Sequence, residues 1–162
     1  GAFDYLKLNG YKSDQIGLMG ISLGASTAIY SAYMEKEIKA VWSESSLAEF
    51  NMILKDEIAR YGMPNIFGPA VSLFGKLLTG INPSNLSPAK KLTNNQFYYF
   101  THGEKDKRIP FHHFKYFQNY SKNNKINSSF WKVPNAYHVD AMYKHPEEYS
   151  LKMKNFFEKH LN

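Results

Sequence analysis

The sequence predicts an α/β fold in which a mostly parallel sheet is flanked by helices. Short apolar runs alternate with amphipathic stretches along the 162 residues, a length that matches one domain. The first such run, residues 16–21, is apolar on both faces, as strands of parallel sheets are. A helical stretch and a second apolar run follow within about 30 residues, which is the spacing of a βαβ unit.

The first elements in chain order are the end of a helix and this βαβ unit. Phe3 and Leu6 are spaced as on the last turns of an amphipathic helix, and Gly10 is typical of the position after such a helix. We then predict a strand over residues 15–21, a helix over 23–36 and a strand over 40–42. The right-handed crossover makes the two strands parallel.

The rest of the chain contains an insertion, two further strands and two further helices. A helical pattern covers residues 47–62, and prolines and glycines break residues 63–92 into short pieces. Because that stretch is apolar whereas linkers are polar, we predict a small insertion at about residues 46–92. The remaining predicted elements are a strand at 96–101, a helix at 110–120, a strand at 129–133 and a helix at 145–160.

Composition excludes several classes of function. The 20 Lys+Arg exceed the 14 Asp+Glu, but the lysines are scattered singly, so no nucleic-acid partner is predicted. No apolar run reaches the roughly 18 residues of a membrane span, so no membrane segment is predicted in this chain. The absence of cysteine excludes disulfides and a thiol nucleophile, and a cytoplasmic location is the expectation.

The strongest motif is the G-x-S-x-G pattern Gly20-Ile21-Ser22-Leu23-Gly24. It lies between a predicted strand and a predicted helix, where a nucleophile elbow exposes its serine at the carboxyl edge of the sheet. We expect both glycines to be required, because a side chain at either would collide with the neighbouring strand or helix. The Leu23 N–H, at the helix N-terminus, can donate to a developing oxyanion. The alternative is a tight turn with a capping serine.

A serine nucleophile needs a base and an orienting acid. His138 follows the fourth strand on the same sheet edge as Ser22, and we predict it as the base; the alternative is a solvated loop histidine. Asp106 follows the third strand and is predicted as the acid, with Glu104 and Asp140 as alternatives. The chain order Ser22, Asp106, His138 is the order expected for an α/β-hydrolase.

Two other groups of residues are candidate binding sites. A metal site could be drawn from His112, His113, His138 and Asp140, but no His-x-x-x-His or similar spacing organises them, so no metal is predicted. Aromatic and methionine side chains of the insertion are interpreted as core packing, with an acyl pocket as the alternative. These residues are Met52, Met63, Phe67 and Phe74.

Three groups of segments resemble the C-terminal part of an α/β-hydrolase. They are residues 16–25, residues 101–106 with 109–110, and residues 133–140 with 146–149. The chain is similar to bacterial serine hydrolases of the prolyl-oligopeptidase-like and acyl-transferase-like esterase branch. The resemblance implies that Ser22 is the nucleophile, His138 the general base and then acid, and Asp106 its partner, with the Leu23 amide in the oxyanion hole. The implied reaction, without a cofactor, is hydrolysis of a small carboxylic ester or acyl substrate through an acyl-enzyme, or less readily of a peptide or amide.

The same resemblance implies how the chain is organised. Members of this family begin with further strands, and a loop among them supplies the second oxyanion donor. Residues 1–162 are therefore expected to form the C-terminal part of one domain, without its N-terminal strands and with the insertion at about 46–92 as a cap. Alone, this part is expected to have low activity and to form a homo-oligomer through the exposed edge at residues 16–21. The alternative function is a non-catalytic binding or interaction domain that retains the fold.

Overall fold

Four parallel strands form the sheet of this protein in a computed structural model that describes residues 1–82 and 85–162. The strands are β1 (Leu18–Ile21), β2 (Ala40–Glu44), β3 (Phe97–Gly103) and β4 (Asn127–Val133). They lie side by side in chain order, and every neighbouring pair is parallel. The predicted α/β class is confirmed. Pro83 and Ser84, which fall in the predicted insertion, lie outside the described residues.

Helices connect and flank the strands. They are α1 (Ala2–Leu8), α2 (Leu23–Met34), α3 (Phe50–Arg60), α4 (Gly68–Thr79), α5 (His112–Asn123), α6 (Ala141–Lys144) and α7 (Pro146–His160). The sequence did not predict α6. It also predicted only short pieces where α4 forms a helix of 12 residues. Pro69 lies in the first turn of α4, where a helix needs no N–H, so this proline does not interrupt it.

The core lies on both faces of the sheet because neighbouring residues of a strand point to opposite sides. Val41 packs in the cluster that holds Ile29 of α2 and Phe117 of α5. Trp42, the next residue of β2, packs in the other cluster with Tyr149 of α7. Helices therefore cover both faces of the sheet. The loops that follow the strands lie at its carboxyl edge.

The insertion packs differently from the prediction. Met63, Phe67 and Phe74 are 45%, 50% and 63% exposed, so the interpretation of these side chains as core residues is wrong. The reason is that α4 packs mainly against α3 and the 3-10 turn at Asn65–Phe67 in the described part of the chain. Its apolar residues therefore face outward. In the described ranges, no helix combines the length and apolarity that crossing a membrane requires.

Strand β1 forms one edge of the described sheet, and we propose that residues 1–162 self-associate there. Met19 and Ile21 are 49% and 43% exposed on this strand. An apolar edge with unpaired backbone groups favours pairing with a second copy, and a lysine on that edge opposes it. We expect sedimentation velocity to show dimers or larger species, and Met19→Lys to shift them toward monomer. The control Met34→Lys changes a residue that is 81% exposed at the end of α2 and should have no such effect. A monomer at all concentrations would contradict the proposal.

Candidate active site

Ser22 occupies a strained turn between β1 and α2. Its φ of 53° and ψ of −123° place a non-glycine residue in a region that L-amino acids rarely adopt. The Ser22 N–H donates to the carbonyl of Glu44 at 2.8 Å, which ties the turn to the end of β2. The turn therefore holds the serine at the carboxyl edge of the sheet.

The two glycines of the motif have different roles. A Cβ at Gly20 would lie 2.7 Å from the Cα of Ala25 and would also collide with the carbonyl group of Gly24. A Cβ at Gly24 would meet no atom of the described chain within 4 Å. The expectation that both glycines are needed to avoid a collision is correct for Gly20 and wrong for Gly24. Only Gly20 faces the first turn of the helix that packs against its strand.

The structure brings the three predicted residues into one hydrogen-bonded chain. The Nε2 atom of His138 lies 2.9 Å from Ser22 Oγ, and its Nδ1 atom lies 2.8 Å from Asp106 Oδ2. A carboxylate can only accept, so Nδ1–H donates to Asp106 and leaves Nε2 to accept from the serine hydroxyl. The residues span 116 positions of the chain, from Ser22 to His138, and meet because their strands end at one edge.

Asp106 is held as a buried carboxylate. Its side chain is fully buried, and its Oδ1 atom accepts the N–H groups of Arg108 and Ile109, each at 2.9 Å. Burial acts to raise its pKa, but the hydrogen bonds from His138 and the Ile109 N–H outweigh burial and hold the pKa below its ordinary value. Asp106 is therefore ionised at neutral pH.

The other two candidate acids lie elsewhere. Glu104 pairs with Lys132 at 3.0 Å on the surface. Asp140 accepts the backbone N–H of Tyr137 at 3.2 Å. Within the described residues, neither carboxylate has a hydrogen bond to His138.

Two supporting residues at the end of β3 were not singled out from the sequence. His102 Nε2–H donates to the Ile109 carbonyl at 2.8 Å, and burial lowers the pKa of this histidine, which keeps it neutral. A Cβ at Gly103 would lie 2.5 Å from the Ala136 oxygen. The missing side chain therefore lets residues 134–140, here called the His138 loop, pack against β3. In the sequence, the only signal for these two supporting residues was the glycine at the end of β3, and a single glycine has many explanations.

Leu23 is the first residue of α2. The first N–H groups of a helix have no acceptor within it, and they carry the positive end of the helix dipole. The Leu23 amide follows Ser22 directly and is therefore well placed for a negative charge that develops beside the serine.

A different set of residues forms a histidine cluster between α3 and α5. His112 and His113 place their Nε2 atoms 2.9 and 3.0 Å from Asp56 Oδ2. His113 Nδ1 accepts the Ala48 N–H at 2.9 Å, so its proton sits on Nε2 and that atom has no lone pair for a metal. The cluster is thus a clamp between α3 and α5. The four residues weighed as a metal site are not brought together, because His138 points to Asp106.

An apolar pocket of about 250 Å³ borders the serine elbow. It lies between α2, the start of α3 and the end of the insertion. Its lining residues are Leu23, Ser26, Thr27, Tyr30, Leu47, Phe50, Leu86 and Pro88. No charged side chain lines it, so the pocket suits an apolar group.

A comparison with models of protein families gives a match over the whole chain. A model described as "Prolyl oligopeptidase family" matches residues 1–162. No curated protein sequence matches the chain.

Solved structures share the fold. The Pyrococcus furiosus esterase Pf2001 superposes with a TM-score of 0.71 at 22% identity, covering 99% of this chain and 60% of the esterase. An acylaminoacyl peptidase of Pyrococcus horikoshii gives 0.74 at 22% identity, covering 99% of this chain and 27% of the peptidase. A puromycin-hydrolyzing peptidase of Mycobacterium tuberculosis gives 0.72 at 14% identity, covering 99% of this chain and 24% of that chain. The chain thus spans less than two thirds of these proteins.

The contrast between the two glycines predicts opposite effects on stability. Gly20→Ala should lower the free energy of unfolding by about 1–3 kcal/mol, because backbone of α2 must move. Gly24→Ala, its matched control, should be neutral or stabilising by up to about 1 kcal/mol, because alanine favours a helix. Urea unfolding of both variants measures the difference. Equal losses would contradict the assignment of the close contact to Gly20 alone.

Proposed function

This chain belongs to the prolyl oligopeptidase family, whose model matches residues 1–162, and from that premise we propose that it carries the catalytic centre of a serine hydrolase. The resemblance to α/β-hydrolases drawn from the sequence is confirmed at the level of family and fold. The observation that carries the proposal is the hydrogen-bonded chain from Ser22 through His138 to the buried, ionised Asp106. This arrangement is that of the Ser-His-Asp triad, in which the histidine takes the serine proton during acyl transfer.

The proposed reaction begins at Ser22. As Ser22 Oγ bonds to the carbonyl carbon of the substrate, its proton passes to His138 Nε2. Asp106 holds the imidazole in the accepting tautomer and stabilises the imidazolium. The Leu23 N–H donates to the oxyanion.

Collapse of the tetrahedral intermediate completes the first half. The bond from the carbonyl carbon to the leaving group breaks, and His138 returns the proton to that leaving group. The acyl group now sits on Ser22. A water molecule then gives one proton to His138 and attacks the acyl carbon. The bond from this carbon to Ser22 Oγ breaks and His138 returns the proton to Oγ, which releases the acid and restores the serine hydroxyl.

We propose a carboxylic ester as the substrate, and a peptide or amide as the alternative. The apolar pocket beside Leu23 supports an aliphatic acyl group on that ester, since no charged side chain lines the pocket. Both an esterase and peptidases are among the proteins of similar fold. Turnover of an ester and an amide that share one acyl group discriminates the two.

We further propose that residues 1–162 form the C-terminal part of one hydrolase domain, with residues of about 46–92 as its cap. The pocket supports this role, because Phe50 and Leu86 of the insertion line it together with α2. A second oxyanion donor would come from outside these residues. The rival proposal is a non-catalytic binding domain, which would leave Ser22 unlabelled by a fluorophosphonate probe in the full-length protein.

The triad predicts a shared loss of activity. In the full-length protein, Ser22→Ala and His138→Ala should each lower kcat for a p-nitrophenyl ester by several orders of magnitude and by similar amounts, because the members act as one unit. Asp106→Asn should also be severe, because the amide disfavours the required histidine tautomer.

Glu104→Gln and Asp140→Asn are the matched controls, because they neutralise the two alternative acids. They should leave kcat within about threefold of the parent. A larger loss in either control than in Asp106→Asn would overturn the choice of acid.

The pocket predicts a change in acyl-chain preference. Leu47→Trp should fill the pocket and lower kcat/KM for p-nitrophenyl octanoate by at least about tenfold more than for the acetate, because one misplaced methylene costs about 1–3 kcal/mol in a hydrophobic pocket. Leu77→Trp adds the same side chain on α4, where Leu77 is 70% exposed, and should leave kcat/KM unchanged for both the octanoate and the acetate. Equal losses for both esters would place the acyl group elsewhere.

A further inference from the structure

Glu44 is a buried carboxylate that the proposed mechanism does not use. It is the last residue of β2, at the carboxyl edge of the sheet, and is 2% exposed. Removing a carboxylate from water costs several kcal/mol unless hydrogen bonds and opposite charge compensate. The surroundings of Glu44 therefore indicate what the carboxylate stabilises.

Donors from two elements hold the Glu44 side chain. Tyr149 Oη–H of α7 donates to Oε2 at 2.7 Å, and the Ala141 N–H donates to Oε1 at 3.4 Å. Trp42 Nε1–H donates to Tyr149 Oη at 3.0 Å, which directs the tyrosine hydrogen toward Glu44. Burial and the charge of Glu44 raise the pKa of Tyr149, so this hydroxyl stays a donor.

The end of β2 contacts both reacting parts of the site. The Glu44 carbonyl accepts the Ser22 N–H at 2.8 Å, while its carboxylate accepts the Ala141 N–H just beyond the His138 loop. The neighbouring Ser45 Oγ accepts the Val139 N–H at 3.4 Å. The residues that follow His138 are thus anchored to β2 by two adjacent side chains.

The charges around this carboxylate come from three elements. Burial raises the pKa of Glu44. The hydrogen bonds from Tyr149 of α7 and the Ala141 N–H and a positive charge on His138 oppose this increase, and Asp140 of the loop adds to it. His138 contacts Asp106, which follows β3, and His102 lies beside Asp106. Two buried carboxylates therefore act on His138: Asp106 bonds its ring, and Glu44 acts on it through its charge.

We propose that Glu44 is a positioning residue, which anchors the His138 loop and stabilises the positive charge that His138 acquires during acyl transfer. The inference rests on the serine hydrolase function proposed above. A nearby carboxylate favours the protonated form of an imidazole. Loss of the Glu44 charge therefore disfavours the imidazolium at every step that forms it.

This role predicts a pH effect that loss of folding does not produce. Without the Glu44 charge, a positive charge on the base is less stabilised, so the acid limb of the kcat/KM profile is expected to move to lower pH. At the same time kcat falls, because the imidazolium of the transition state loses a stabilising charge. Structural damage alone lowers the amount of active enzyme and leaves the position of the limb unchanged.

The test uses Glu44→Gln, Glu44→Met and Glu44→Asp in the full-length protein. Kinetics on a p-nitrophenyl ester from about pH 5 to 9 give the limb, and fluorophosphonate labelling counts active sites. We expect the Gln and Met variants to lose about tenfold in kcat per active site, with KM little changed and the limb at lower pH. Glu44→Met also keeps the test valid if Glu44→Gln folds poorly, because an apolar residue of similar size avoids a buried polar group without partners. Glu44→Asp keeps the charge and should leave the limb in place.

Glu49→Gln is the matched control. Glu49 is a carboxylate of the insertion that bonds Tyr116 and Lys90, away from His138, so its loss should leave the limb unmoved. An unmoved limb in both the Gln and Met variants would overturn the proposal for Glu44. Failure of the serine hydrolase function itself would appear separately, as an unlabelled Ser22 in the unaltered protein.

Discussion

Parallel pairing obliges all four strands to end at the same edge of the sheet, and the site depends on this constraint. In the sheet register Ile21 pairs with Glu44 and Glu44 pairs with Thr101. The loops that carry Ser22, Asp106 and His138 therefore leave the sheet side by side. Helices cover both faces, so the carboxyl edge is where polar side chains can converge without displacing the core.

Convergence at one edge also places charge in a buried setting. Asp106 lies there under complete burial and Glu44 under nearly complete burial. Asp106 is balanced by two backbone N–H groups and the His138 ring, and Glu44 by one backbone N–H and the Tyr149 hydroxyl. The donors come from the loops that follow β3 and β4 and from α6 and α7, so the charges connect the edge of the sheet to these helices and to the His138 loop. The same contacts that make burial tolerable thus fix the geometry of the imidazole.

The insertion forms part of the pocket, whereas the loops at the sheet edge carry the three hydrogen-bonded side chains of the site. The start of α3 and the end of the insertion form a wall of the pocket beside Leu23. Polar contacts hold this wall, with Asp56 of α3 bonded to His112 and His113 of α5. By contrast α4 keeps an apolar face in solvent in the described part of the chain. The inner side of the insertion therefore lines the pocket, while its outer side, which includes α4, is exposed.

The sequence by itself predicted the α/β class, the four strands, and Ser22 and His138 as nucleophile and base, because apolar periodicity and a glycine-flanked serine between strand and helix are local signals. It placed Ser22 in a turn but implied equal roles for Gly20 and Gly24. It predicted Asp106 as the acid but kept Glu104 and Asp140 as alternatives, and it overlooked α4, Gly103 and Glu44. Only the tertiary structure decided these points. Which carboxylate reaches an imidazole, and which Cβ meets backbone, depends on distances between segments far apart in the chain, and such distances are fixed by strand pairing and helix packing rather than by any single segment.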